Sequence, residues 1–167
     1  LKNPGNDAAD MAGVLRKAGF DVILQTDANQ RGMKDAIRSF NNALKSKGGV
    51  GLFFFSGHGV QSAGENYLLP VNERFANEND VRNNSVSAAE AVDAMAAARN
   101  GLNIVVLDAC RNNALPGTNT TSGLSRIDSS ASLFISYATS PGSIALDGEG
   151  RNSPYTAAFL KNIETPE

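Results

Sequence analysis

The chain has 167 residues, 41% apolar and 19% charged, with 15 Lys and Arg against 17 Asp and Glu for a formal net charge of −2. That is the length of one domain able to bury its own core, and it lacks the basic excess that grips nucleic acid. One cysteine excludes an internal disulfide, a lone Cys and a lone His argue against the usual zinc site, and the longest apolar runs, Val50–Phe55 and Ile104–Leu107, are too short to cross a bilayer. The sequence opens Leu-Lys-Asn-Pro without an initiator Met or a signal-peptide pattern, so it reads as a fragment or a chain whose start has been removed, and a soluble, cytoplasmic protein is the expectation.

Helical and strand patterns alternate from there. Ala8, Met11, Leu15 and Ala18 recur at helical spacing up to Gly19, with Asn6 or Asp7 as candidate caps. Phe20–Gln25 reads as a short strand. Met33, Ile37, Phe40 and Leu44 mark a second amphipathic helix, more readily core than a partner surface, ended by Gly48-Gly49. Val50–Phe55 is a buried strand, closed by a polar turn Ser56-Gly57-His58-Gly59. Tyr67–Pro70 resembles a hairpin or edge strand, and Asn72–Asn84 a polar loop. Ser87 is placed to cap a third helix, with Glu90 three residues on as in a capping box. Asn103–Leu107 is another buried strand, with Asp108-Ala-Cys-Arg at its end. Residues 112–131 are a long polar stretch. Leu133–Ser136 is a further strand, and Tyr155, Phe159 and Ile163 a last helical stripe.

This alternation predicts one α/β domain over residues 1–167, a mainly parallel sheet with helices on both faces. Ligands of such sheets sit beyond the carboxyl ends of the strands, where residues 56–59, 108–111 and 136–140 converge. The only histidine, His58, and the only cysteine, Cys110, each lie three residues after a buried strand. Adjacent parallel strands would bring them together. A thiol attacks as its thiolate and needs a neighbouring base, for which histidine is the usual choice; the bland alternative is a small buried hydrophobe and a hydrogen-bonded loop histidine.

The sequences around the pair narrow this. Phe-Phe-Phe-Ser-Gly-His-Gly, followed about 50 residues on by Val-Val-Leu-Asp-Ala-Cys-Arg-Asn-Asn, resembles the histidine and cysteine boxes of caspase-like cysteine peptidases. The Asp-x-Cys form is similar to the metacaspases and their bacterial relatives, the orthocaspases. Asn3-Pro-Gly-Asn-Asp-Ala, Tyr67-Leu-Leu-Pro-Val-Asn and Ser136-Tyr-Ala-Thr-Ser-Pro-Gly match further segments, so the resemblance spans nearly the whole chain.

The resemblance implies a caspase-like three-layer sandwich and a cysteine endopeptidase. Cys110 would be the nucleophile and His58 the general base and acid. The N–H groups of Gly59 and Cys110 would form the oxyanion hole, a glycine letting the substrate carbonyl come close. The arginine that caspases proper place in a Ser-Trp-Arg stretch is absent, Ser136-Tyr137-Ala138 standing there. Asp7 and Asp108 match instead the acidic pocket of metacaspases, and Ser56 and Ser136 its hydroxyls. Two carboxylates with hydroxyls suit a guanidinium, so cleavage after Arg or Lys of protein or peptide substrates is expected. Helix cap and strand-end structural acid are the plain alternatives for Asp7 and Asp108. Arg126, the basic residue of Leu-Ser-Arg-Ile-Asp in the 112–131 loop, is a candidate for self-cleavage, against an incidental loop arginine. Asp147-Gly-Glu-Gly has a calcium-loop flavour without the EF-hand ligand series, so no resident metal or cofactor is expected, and the resemblance leaves calcium dependence open. It also implies a strand ahead of the Asn3 segment and another past Ile163, both absent from the sequence. The rival from another class is a catalytically silent caspase-like module used for binding or scaffolding.

Overall fold

The computed structural model describes residues 1–110, 124–127, 132–139 and 145–163. Helix α1 spans Pro4–Lys17, with proline at its first turn, Asp7 near its positive end and Arg16 and Lys17 near its negative end, each where the helix dipole favours it. Asn3 occupies the N-cap position, so neither Asn6 nor Asp7 is the cap; Asp7 lies within the first turn and is fully buried. Helix α2, Gln30–Lys47, is capped by the Asn29 side chain, which accepts from Gly32 N–H at 2.9 Å, and ends at Gly48 and Gly49 with positive φ.

Strand β1 runs Val50–Ser62 and turns through Ala63 and Gly64 into β2, Glu65–Leu68. The predicted loop 72–84 holds a short helix, α3 (Glu78–Asn84), nucleated by a reciprocal capping box between Asn77 and Asp80. β3 is Val86–Ser87. Helix α4, Ala88–Ala98, is capped by Ser87 as expected, Oγ accepting from Ala89 N–H at 3.2 Å, while Glu90 pairs with Lys34. β4 (Leu102–Cys110), β5 (Leu133–Tyr137) and α5 (Pro154–Ile163) complete the described elements.

The sheet order is β3-β2-β1-β4-β5, parallel for β1/β4 and β4/β5 and antiparallel for β1/β2 and β2/β3. Alternation along the strands sorts its two faces. Phe53, Phe55, Val105, Leu107, Ala109, Leu133 and Ile135 pack with Leu44 of α2 and Met95 of α4 in the main core. α1 packs against β1 and α5 on the other face. The mainly parallel α/β sandwich with helices on both faces is therefore the observed fold.

Gly51, the one non-apolar position of the predicted Val50–Phe55 strand, has a packing reason. A Cβ there would lie 2.8 Å from Asn103 Oδ1 and 3.0 Å from Leu44 Cδ1. One predicted strand is missing. Residues 20–25 carry no ladder, because the space beside them holds a cavity of about 1000 Å³ bounded by α1, α2 and the outer edge of β1, with Leu15, Phe20, Leu24, Phe40 and Leu52 among its walls. Among the described residues, β1 has β2 beside it on that edge only from Gly59 onward.

Candidate active site

Strand register decides what meets at the carboxyl end of the sheet. Ser56 pairs with Asp108 and His58 with Cys110 on β1 and β4, and Val106 pairs with Ser136 on β4 and β5. By alternation, positions 56, 58, 108, 110 and 136 belong to one face, the face covered by α1 and α5. The two chemistry-bearing positions are thus opposite one another on adjacent strands about 4.8 Å apart, at the last rung of the β1/β4 ladder. The expected turn at 56–59 is instead strand. The hairpin with β2 carries β1 past it, Gly59 pairing with Leu68 and the His58 carbonyl accepting from Leu69 N–H at 2.8 Å. His58 remains exposed. A Cβ on Gly59 would stand 3.2 Å from Ala109 Cβ and 3.3 Å from Leu124 Cδ2, so core packing already favours glycine there.

One rung below, about 6.6 Å along the strand at 3.3 Å per residue, sits a fully buried acidic cluster. Ser56 Oγ donates to Asp7 Oδ2 at 2.8 Å, and Ser153 N–H donates to Asp7 Oδ1 at 3.0 Å. The Ser153 hydroxyl donates to Asp108 Oδ2, which also accepts from Thr156 Oγ1 at 2.7 Å. Asp108 Oδ1 is buried without a hydrogen-bond partner among the described residues. Burial pushes the Asp108 carboxyl above its ordinary range; the Ser153 and Thr156 hydroxyls pull it back in part, while the negative charges of Asp7 and Asp147 add to the upward push. Among the described residues no basic group forms an ion pair with either acid.

Ser136 joins through a second hydroxyl, its Oγ 2.6 Å from Tyr155 OH, and burial raises the Tyr155 phenol. Asp7, Ser56 and Asp108 are therefore brought together through Ser153, with Ser136 approached from the side by α5. Sequence reasoning missed Ser153, Thr156 and Tyr155. Their signal was the Ser-Pro pair opening the last helix, since Ser153 Oγ accepts from Thr156 N–H at 2.9 Å and so caps α5.

Asp147, read as a calcium-loop residue, accepts from the backbone N–H of Lys2 at 2.7 Å and of Asn3 at 3.3 Å, binding its segment to the start of α1. Among the described residues no three His, Cys, Asp or Glu side chains are grouped to hold a metal ion, and no helix is long and apolar enough to cross a membrane. Of the 112–131 stretch, only 124–127 is described. Leu124 is buried in the core, and the Asn66 carboxamide bonds Ser125 N–H and C=O at 2.7 and 2.8 Å. Ile127 N–H donates to Tyr137 OH at 3.0 Å, and the Arg126 side chain between them is exposed.

Comparison with known proteins bears on the family of the chain. The chain is 28% identical over 148 residues to human (Homo sapiens) mucosa-associated lymphoid tissue lymphoma translocation protein 1, and equally to its mouse (Mus musculus) homolog. These matches cover 88% of the chain but only 17% of each relative, so the chain spans about a sixth of their length. A family model described as the caspase domain matches residues 1–167 in full, and the chain belongs to that family of caspase-like peptidases.

Proposed function

We propose that the chain is a cysteine endopeptidase of the metacaspase or orthocaspase type that cleaves protein substrates after arginine or lysine. One observation carries this reading: the His58↔Cys110 rung stands directly beyond the Ser56↔Asp108 rung on the same face of a parallel sheet. A base and a nucleophile position are thereby adjacent, and a pair of buried carboxylates lies one rung away. In the proposed cycle His58 takes the Cys110 proton, the thiolate attacks the scissile carbonyl, and the imidazolium returns the proton to the leaving amine. Water then hydrolyses the thioester. The N–H groups of Gly59 and Cys110 are the assigned oxyanion donors, each of a kind worth about 2.7–4 kcal/mol of transition-state stabilisation. Asp7 and Asp108 supply the negative charge for the cation, with Ser56 and Ser136 as neighbouring hydroxyls. Self-processing after Arg126 extends the same specificity to the chain itself, where the exposed Arg126 side chain supports it.

A second reading has an observation of its own. Both acids are fully buried and tie α1, β1, β4 and α5 together, which is also what a structural staple in a catalytically silent scaffold would do. Hydrolysis of fluorogenic peptides ending in Arg, Lys or Asp, with Cys110→Ala as control, separates the two. Cleavage after Arg or Lys that disappears in the control supports the peptidase. Cleavage after Asp removes the pocket assignment, and no cleavage, with or without calcium, favours the scaffold.

A further inference from the structure

Counting donors at the acidic cluster reveals an asymmetry. Asp7 has one donor on each carboxylate oxygen, Ser153 N–H on Oδ1 and Ser56 Oγ on Oδ2. Asp108 has both of its donors, the hydroxyls of Ser153 and Thr156, on the single oxygen Oδ2. Its Oδ1 is left buried and unpartnered among the described residues. A carboxylate presents about four acceptor sites, and an unpaired one removed from water is costly. Oδ1 of Asp108 is therefore the atom of this cluster that most needs a donor from outside.

Two hydroxyls converging on one oxygen do more than satisfy it. They fix the plane of the carboxylate, and so the direction of the other oxygen. Ser153 is also the cap of α5, and Thr156 lies in the first turn of that helix, so the orientation of Asp108 is tied to a rigid element rather than to a loop.

We propose that Ser153 and Thr156 are the positioning residues of the cation pocket: gripping Oδ2, they present Asp108 Oδ1 as the direct acceptor for the arginine or lysine of the substrate. Asp7, each of whose oxygens already accepts from the protein, supplies the second negative charge without direct contact. This rests on the reading of Asp7 and Asp108 as a substrate pocket. It adds a division of labour between the acids, and two residues of α5 on which specificity depends.

The consequence for pH follows from what faces Asp108. From α1 comes Asp7, from the segment before α5 Asp147, and from α5 Tyr155, together with the two hydroxyls. Asp108 must be ionised to bind a cation, so binding fails as pH falls through its raised pKa. Removing a hydroxyl that stabilises the ionised form raises that pKa further and moves the acid limb of kcat/KM to higher pH.

The test compares wild type, Thr156→Val, Thr156→Ser and Ser153→Ala on matched peptides ending in arginine or in citrulline, its neutral isostere. Thr156→Val leaves the Ser153 cap in place, which keeps the test valid should Ser153→Ala fold poorly. For Thr156→Val the expected result is a KM for the arginine peptide about tenfold higher with kcat little changed. The arginine-over-citrulline preference should fall by a similar factor, the acid limb should move upward in pH, and Thr156→Ser should restore all three. If wild type cleaves the arginine peptide and Thr156→Val keeps its preference and pH profile, the positioning role is overturned while the pocket stands. If wild type cleaves neither peptide, the pocket reading itself is overturned and this inference with it.

Discussion

Asp108→Asn is expected to make the protein more stable and the proposed cation pocket worse, and the burial of Asp108 gives the sign of both effects. Asp108 is fully buried, faces the like charges of Asp7 and Asp147, has one oxygen without a partner and no basic group bonded to it among the described residues. Its ionised form is disfavoured by folding. Asparagine keeps the shape and an oxygen for the Ser153 and Thr156 hydroxyls, removes the charge, and brings a buried amide N–H₂ that is less costly than an unpaired carboxylate oxygen. A gain of about 1–2 kcal/mol at pH 7 follows, which for a chain of this length is a rise in Tm of about 2–8 °C. The linkage has a definite sign. The folded pKa lies above the ordinary 3.8, so the native state binds the proton more tightly than the unfolded chain. Wild-type stability from this group is therefore fully present below the ordinary value and lost as pH rises through the raised one. Urea unfolding of both proteins at pH 7 and near pH 4 reads this directly: the advantage of Asn is large at pH 7 and shrinks towards pH 4. An Asn variant no more stable than wild type at pH 7, or an advantage independent of pH, refutes the reasoning. In the same preparations kcat/KM for arginine peptides falls about 10–100-fold, the worth of a charge-assisted hydrogen bond.

Gly51→Ala forces a Cβ against Asn103 Oδ1 and the Leu44 methyls and costs about 1–3 kcal/mol in urea unfolding; an unchanged midpoint contradicts the packing. Asn66→Ala releases both backbone bonds of Ser125, so added trypsin cuts after Arg126 several-fold faster, and an unchanged rate would show that the Asn66 clasp does not control that bond. His58→Ala slows alkylation of the Cys110 thiol at pH 7 about tenfold if the proposed pair exists; equal rates would mean that the rung in the register creates no catalytic pair. In hydrogen exchange, alternate amides between Val50 and Ser56 exchange quickly, because every second one faces the cavity side of β1 rather than β4, whereas uniform protection would show that the outer edge is covered.

What the sequence revealed and what it hid divide along physical lines. Helix stripes such as Met33/Phe40/Leu44 and the apolar strands at 50–55 and 103–107 were legible because packing on a periodic element leaves a periodic trace. Yet 50–55 is not the buried strand its composition suggests: Val50 is exposed, Gly51 is buried and Leu52–Phe55 are half-buried beside the cavity. The polar run 72–84 hid α3, which is held by the Asn77–Asp80 capping box and by Val81 alone of its residues being buried. Phe20–Gln25 has the composition of a strand, but a ladder needs a neighbour and the adjacent space is a cavity. At the site, His58, Cys110, Asp7 and Asp108 stood out by residue type and context. Ser153 and Thr156 did not, because a hydroxyl at the start of a helix is ordinarily explained by capping. Ser153 does cap α5, and only the fold shows that the same residue also holds two carboxylates from α1 and β4.

The site and the cavity are joined by β1. Among the described residues, this strand is laddered to β4 on one side over Val50–His58, while the ladder with β2 on the other side begins at Gly59. Ser56 and His58, which carry one half of the acidic rung and one half of the proposed catalytic rung, thus belong, among the described residues, to the stretch with a strand ladder on one side only. The opposing halves, Asp108 and Cys110, lie on β4, and Asp108 is further fixed through α5. Rigidity across the site is therefore unequal. The acid is clamped by a helix, whereas the backbone of the histidine lies in the β1/β4 ladder and its carbonyl accepts from Leu69 N–H. A perturbation of the β1 outer edge should disturb the alignment of His58 before it disturbs cation recognition, lowering kcat more than it raises KM.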